Sequence, residues 1–361
     1  MYGILPSHAF ASTDVSRVPW NDHPFGTGPF RVVQWRRGEE IVLEPNPYAW
    51  RKPHLKRLVL KIVPDRNTTL LLFQTHAVDV DDYLNNDQVA DNRAALGSTL
   101  VRTPKNHIAY ALFQMKRFPT DDPLVRKALT EAIDTAGIAR KVYHGLWPLA
   151  TTELPAVLWA HDASVRPYGF DPQAAERDLD AAGWRRSGAT RTKGGKPLAI
   201  DIAYEGPSPD GRSAATVIQE NLSRVGVDAA VRGYPTNVFY DIPNGVYYGG
   251  RFNLAVSGVY GGQDPEQSEF WTCDRVAPNG PNTARFCDPA YDALFVKQSQ
   301  LTDRRARQAV FDQMQRIIAR SAVFVPLVYR GDYSAVNPAV RGWAPDMLFE
   351  NGNSNDWDVL P

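Results

Sequence analysis

The chain has 361 residues, 43% of them hydrophobic and 22% charged, enough for about two domains with a sizeable core. Its 40 Lys+Arg balance its 40 Asp+Glu, so no basic surplus exists to neutralise phosphates, and nucleic acid is excluded as the main partner. No apolar run approaches the ~18–20 residues of a membrane span.

The N-terminus, Met1-Tyr2-Gly3-Ile4-Leu5-Pro6, has no basic n-region and no long apolar h-region. No signal peptide is therefore expected in this chain, and taken alone it reads as cytoplasmic. Residues 29–35, 41–44 and 55–63 are rich in β-branched and aromatic side chains and predict strands, punctuated by Arg37-Gly38 and Pro45-Asn46-Pro47. Asp65 opens a helix through residue 72. Residues 106–115 alternate as a half-buried strand does. Asp121, Asp122 and Pro123 mark the entrance of a helix carrying Val125, Ala128, Leu129, Ala132 and Ile133.

Asp171-Pro172 starts a helix as N-cap and first-turn proline, and Gly183 ends it. Residues 198–204 then form a strand, Ala214, Val217, Ile218, Asn221, Leu222 and Val225 a helical stripe, and residues 227–231 a second strand. This βαβ unit implies parallel strands with a right-handed crossover. Residues 252–256 predict a strand. Ala306, Val310, Met314, Ile317 and Ser321 lie on one helix face that feeds a strand at 322–328. The fold class is α/β with many loops.

The two cysteines, Cys273 and Cys287, bracket a Pro/Gly/Asn-rich loop and fit no zinc spacing. A disulfide there would stabilise by about 3 kcal/mol in the chain-entropy model; the other reading is two free thiols in a reducing compartment. Nucleophile-elbow, HExxH, dinucleotide and phosphate-loop motifs are absent. The acidic pairs Asp81-Asp82 and Asp121-Asp122 read best as residues at helix starts. No enzymatic activity, cofactor or metal is expected.

Several segments occur in a specific order: Ile4-Leu5-Pro6-Ser7-His8, Phe25-Gly26-Thr27-Gly28-Pro29-Phe30, Glu44-Pro45-Asn46-Pro47-Tyr48-Ala49-Trp50, Asp122-Pro123-Leu124-Val125-Arg126-Lys127-Ala128-Leu129, Asn279-Gly280-Pro281-Asn282-Thr283, Asp288-Pro289-Ala290-Tyr291-Asp292 and Val325-Pro326-Leu327. Together they resemble the solute-binding proteins of peptide-type ABC importers, the dipeptide/oligopeptide-binding family 5, over essentially the whole chain. The resemblance implies a two-lobed, periplasmic-binding-protein-like α/β fold of type II with an extended first lobe. It implies residues 1–104 in lobe I, 105–325 in lobe II and 326–361 returning to lobe I. It further implies a monomer that is periplasmic or at the cell surface, captures a small-molecule or peptide ligand by closure of the lobes, and delivers it to ABC permease subunits. The alternatives are a sensor presenting its ligand to a membrane receptor, or a non-functional truncated remnant. Family members carry a secretory signal and a further subdomain before an Ile-Leu-Pro segment, so lobe I is expected to be incomplete here and to expose unpaired sheet edges. The Gly26-Thr27-Gly28-Pro29 stretch is expected to be structural, its glycines supplying positive φ or close backbone approach.

For the ligand site, the segment after the 252–256 strand is the best candidate, since open α/β sheets bind at strand carboxyl ends. In peptide-binding relatives an aspartate in this region pairs with the peptide amine. Here Asp264-Pro265 matches, but the amine-binding position falls on Gly261 or Gly262, which puts peptide specificity in doubt unless Glu266 or Glu269 substitutes. Tyr260 and Gln263 are expected to touch ligand. Asp264 is expected either to do so or to cap the next helix. Trp271 is expected to stack on ligand or join the core. Asn282 lies in a segment resembling a pocket-proximal one, and Arg285 is expected either to bind a ligand carboxylate or to be a solvated loop residue.

Overall fold

The computed structural model describes residues 24–348 and 352–360; the Ile4-Leu5-Pro6-Ser7-His8 segment lies outside them. In chain order the elements are β1 (Phe30–Arg36), β2 (Glu40–Pro45), β3 (Leu58–Lys61), α1 (Arg66–Gln74), β4 (Val80–Leu84), α2 (Asn86–Leu96), β5 (Leu100–Phe113), α3 (Pro123–Glu131), α4 (Thr135–Lys141), α5 (Pro172–Ala181), β6 (Arg185–Ser187), β7 (Thr190–Lys193), β8 (Lys196–Pro197), β9 (Ala199–Glu205), α6 (Pro209–Arg224), β10 (Asp228–Tyr234), α7 (Thr236–Phe239), β11 (Leu254–Tyr260), α8 (Ser268–Trp271), α9 (Pro289–Ser299), α10 (Arg304–Ser321), β12 (Phe324–Val336), β13 (Val340–Arg341) and β14 (Asp358–Val359). Two compact units divide the chain: unit 1 is residues 1–103 and 332–361, and unit 2 is residues 104–331. The sequence reading put the crossings near residues 104–107 and 325–330; the division falls after Thr103 and after Gly331.

In unit 1, β1, β2 and β3 form an antiparallel sheet in that order. Asn46, buried at its end, explains the Gly-Thr-Gly-Pro stretch. Its amide donates to the Gly26 and Gly28 carbonyls at 3.0 and 2.9 Å and accepts the Tyr48 N–H at 3.0 Å. Neither Gly26 nor Gly28 has positive φ or a close neighbour where a Cβ would stand. The stretch is thus latched through its carbonyls, and the reason expected for its glycines does not hold. Asp65 caps α1 by accepting the Thr68 N–H at 2.8 Å. Asn85 and Gln88 form a reciprocal capping box at the start of α2. Asp81 and Asp82 lie in β4, not at a helix start. The pleat sends neighbouring residues to opposite faces, so Asp81 is buried while Asp82 is exposed, and burial raises the Asp81 carboxyl to about 6. β4 pairs antiparallel with the end of β12 through Tyr333, Ala335 and Val336.

Unit 2 is built on the strand order β10-β9-β11-β5-β12. β9 runs parallel to β10 and to β11, while β5 and β11 are antiparallel. The helix α6 connects β9 to β10 and buries Ala214, Ala215, Ile218 and Leu222. That is the face the sequence stripe predicts. Val310, Phe311, Met314 and Ile318 of α10 complete the buried apolar set. The Asp-Pro helix starts hold: Asp122 accepts the Leu124 N–H at 2.9 Å and Asp171 the Ala174 N–H at 2.9 Å. Arg126, 4% exposed, is buried with no carboxylate among the described residues in hydrogen-bond contact. Its guanidinium donates to the carbonyls of Thr120, Asp121 and Ser321, which ties the entrance of α3 to the end of α10.

Cys273 and Cys287 are joined in a disulfide with a sequence separation of 14. Replacing both (Cys273→Ser with Cys287→Ser) is expected to lower unfolding stability by about 3 kcal/mol, read from urea denaturation. A second effect comes from Glu153, 2% exposed, whose Oε2 meets no hydrogen-bond partner among the described residues. Burial pushes its carboxyl up to about 8, against about 4.3 in an unfolded chain. Between those values the folded state keeps a proton that the unfolded chain has released, so this group's contribution to stability falls as pH rises from about 4.3 to about 8. Glu153→Gln is expected to flatten that slope, so that its stability relative to wild type rises from acidic to alkaline pH, in urea unfolding compared at the two pH values.

Candidate functional site

The strand directions of unit 2 mark one position as special. From β9 the chain leaves through α6 to β10 on one side, while β11 lies against the other side of β9. Such a divergence at strand carboxyl ends opens the crevice in which α/β sheets hold ligands. A cavity of about 210 Å³ lies there, lined by Glu205 at the end of β9, Ser208, Asp210 and Gly211 at the start of α6, His107 and Ala109 of β5, Gly258 and Tyr260 of β11, and Tyr143, Tyr240 and Arg330.

The register of β5 and β11 builds one wall. His107 stands opposite Tyr260, and Ala109 opposite Gly258. Directly opposed side chains share a face, and the His107 and Tyr260 rings stack at 3.7 Å with 24° between planes. His107 is buried while Tyr260 is 67% exposed, so a fixed imidazole backs a phenol open to solvent. Gly258 leaves room for this: a Cβ there would stand 2.8 Å from both His107 Nε2 and the Ile108 carbonyl. Just beyond, Asn106 locks the strand end. Its carbonyl accepts the Gly261 N–H at 2.8 Å and its amide donates to the Gly262 carbonyl at 2.7 Å. A Cβ at Gly261 would meet that amide at 2.2 Å. The two glycines at the position of the missing amine anchor are thus part of a tight strand-end turn, with Gly261 held by close approach.

The charges are few. Arg330 Nη2 lies 3.4 Å from Asp210 Oδ2. Burial, and then the Arg330 charge, push His107 down to about 3, so the imidazole is neutral at physiological pH. Glu205 Oε1 accepts the Thr236 hydroxyl at 2.7 Å. Burial raises the phenols of Tyr143 and Tyr240, the latter to about 12, and Tyr240 meets the Ser257 hydroxyl at 3.3 Å. At the start of α6, Ser208 Oγ accepts the Gly211 N–H at 3.0 Å. Among the described residues no group of three or more His, Cys, Asp or Glu is placed to hold a metal ion.

Of the residues singled out in the sequence, Tyr260 lines the cavity, as the last residue of β11 and not in a loop beyond it. Gln263 is exposed. Asp264 accepts the Glu266 N–H at 3.0 Å and takes two bonds of 2.9 Å from Arg307, which hold its carboxyl below the usual range. The following helix starts at Ser268, so Asp264 shapes the preceding turn and does not cap it. Trp271 is 2% exposed, packs on Phe324 and Phe286, and donates its indole N–H to Gln267. Asn282 is fully buried, donating to the Thr272 and Phe286 carbonyls and accepting the Phe286 N–H. Arg285, half-buried with φ of 56°, donates to the Gly249 carbonyl at 3.3 Å. The sequence reading missed His107, Tyr143, Glu205, Asp210, Tyr240 and Arg330. The one local signal near them was Ser208-Pro209-Asp210, a cap and first-turn proline directly after a predicted strand.

A parallel βαβ unit with a cavity beside its strand ends is the arrangement in which open α/β sheets hold ligands. The family model described as bacterial extracellular solute-binding proteins, family 5 Middle, matches residues 2–280, and the chain belongs to that family. Heme-binding protein A of Haemophilus influenzae is 26% identical over 90% of this chain and 58% of its own length. The dipeptide-binding protein of Escherichia coli is 25% identical over 91% of this chain and 61% of its own. The chain thus spans about 60% of the length of these curated relatives. The fold is that of the oligopeptide-binding protein AppA of Bacillus subtilis, solved with a nonapeptide (TM-score 0.80, 20% identity, 99% of this chain and 72% of AppA). NikZ of Campylobacter jejuni, solved with Ni(L-His), is similar to the same degree (TM-score 0.82, 20% identity, 99% and 73%).

The two neighbouring glycine positions separate cleanly. Gly258→Ala is expected to destabilise by about 1–3 kcal/mol, because the Ile108 carbonyl is part of a paired strand and cannot retreat. Gly262→Ala, with nothing within 4 Å of the added Cβ, is expected to be neutral or slightly stabilising. Urea midpoints of the two variants check the contrast.

Proposed function

We propose that the chain is the solute-capturing part of an extracytoplasmic binding component of an ABC importer, holding a short peptide or peptide-like solute unchanged and passing it to the membrane permease. Family membership supports capture, and the peptide names among the relatives support the solute class. The observation that carries the site is the cavity at the divergence of β9, β10 and β11, where a stacked aromatic wall faces a charged rim. Its volume of about 210 Å³ is below the ~300–1,000 Å³ of pockets for drug-sized ligands, which suits one end of a peptide. The solute would lie on Tyr260, with Gln263 beside it, and with His107, Tyr240, Glu205, Asp210 and Arg330 in place of Trp271 and Asn282, whose side chains serve the interior. Arg285 and Asp264 would act through the loops they hold. A monomer working outside the cytoplasm, with no nucleic-acid partner, accords with the disulfide and the balanced charge.

Calorimetric titration with dipeptides tests this. Tyr260→Ala is expected to weaken binding about tenfold, the equivalent of about 1.4 kcal/mol. A peptide that binds wild type and variant equally would move the solute out of this cavity.

A further inference from the structure

We propose that the unit 2 cavity selects solutes carrying a protonated amine, and that the Glu205 carboxylate is the group that pairs with it. The proposal rests on the reading of this cavity as the solute site and adds the charge of the ligand.

The charge count around the cavity carries it. Three lining side chains carry charge: Glu205, Asp210 and Arg330. Arg330 and Asp210 face each other at 3.4 Å and largely cancel. His107 adds no charge, being buried beside Arg330, and the tyrosines lining the cavity present phenols. One carboxylate is left over. Glu205 accepts a single neutral donor, the Thr236 hydroxyl at 2.7 Å, and no basic side chain pairs with it among the described residues. That hydroxyl aims the carboxylate without neutralising it. A cavity with one surplus negative charge favours a cation, and a protonated amine satisfies it by a charge-assisted hydrogen bond. The exposed ring of Tyr260 offers a face that also attracts a cation.

The opposite reading, a ligand carboxylate held by Arg330 and the start of α6, meets two obstacles on the page. Asp210 already occupies Arg330. The helix start is also depleted of donors, because Pro209 has no N–H and the Gly211 N–H is given to Ser208 Oγ. An anion would have to displace Asp210 before it gained either partner.

The test uses the whole chain and two probes with the same side chains: alanyl-phenylalanine amide, a cation, and N-acetyl-alanyl-phenylalanine, an anion. Calorimetry is run on wild type, Glu205→Gln and Tyr260→Ala. The glutamine is isosteric and keeps an oxygen for Thr236, and a matching thermal unfolding midpoint confirms its fold. The expected result is that wild type binds the cation at least tenfold tighter than the anion, and that Glu205→Gln removes at least tenfold of the cation's affinity while the anion's does not fall and rises as the repulsion is relieved. Equal affinities, a preference for the anion, or a Glu205→Gln variant that binds the cation as wild type does would overturn the proposal. If Tyr260→Ala still weakens the bound probe in those cases, the cavity remains the solute site and the cation assignment alone falls. If Tyr260→Ala is also without effect, or neither probe binds wild type, both fall together.

Discussion

The antiparallel register of β5 against β11 is the constraint on which the site depends. Side chains alternate along a strand, so a slip of one residue would turn His107 and Tyr260 away from the cavity and bring Ile108 and Val259 into it. Three features hold the register. Asn106 grips the chain at Gly261 and Gly262 from both its carbonyl and its amide. Gly258 lets the His107 ring lie where any side chain would collide. On the opposite face the Tyr110 and Tyr247 hydroxyls meet at 2.9 Å in the interior, a contact that a slipped strand would break, at the cost of a buried hydrogen bond. Glycines ordinarily weaken a strand, yet here they allow a ring stack and a strand end to occupy the same few ångströms.

Polar groups inside unit 2 are disposed in two ways. Arg126 and Arg191 are buried and bind mainly carbonyls: Arg191 donates to Val225 and Trp184 and pairs with Asp180 at 2.6 Å. Each satisfies several loop or helix-end acceptors at once, which fixes irregular chain without ordering new backbone. Asp264 and Arg307 instead neutralise each other near the surface. A pair of this kind near the surface adds little stability, but it commits the Asp264 carboxylate to Arg307. Glu153 falls outside both patterns, a carboxyl whose buried oxygen lacks a partner.

The elements legible in the sequence are those whose signals are local. Asp171-Pro172 and Asp122-Pro123 cap helices because a carboxylate and a proline answer the same unsatisfied N–H groups, and the 214–225 stripe faces the sheet because a crossover helix must bury one side. The helix α2 went unread because its apolar positions form no stripe, although Asn85 and Gln88 announce its start. Asp81-Asp82 was misread because an acidic pair looks alike at a helix start and in a strand, where burial of alternate residues separates the two. Trp271 shows the limit for aromatics: residue type cannot tell a cavity wall from a core, and here two rings, Phe286 and Phe324, and Gln267 settle it. The cavity itself joins His107, Asp210 and Arg330 across wide stretches of sequence. Only the strand order of the sheet brings them together, and no spacing rule within the chain encodes that.

Within such a cavity the aromatic wall and the surplus charge do different work. A stacked ring pair contributes to any flat or apolar group that lies on it, so Tyr260 in the proposed role would raise affinity across many solutes and discriminate weakly among them. The ion pair of Arg330 and Asp210 is already satisfied, so it rewards neither sign of charge and penalises a ligand that disturbs it. An unpaired carboxylate is different in kind, because it attracts one sign and repels the other, and discrimination by repulsion needs no added contact. One fold can therefore hold chemically unlike solutes with the same strands and helices. On the proposed reading, which of them this cavity takes would turn on Glu205, whose charge no other lining side chain answers.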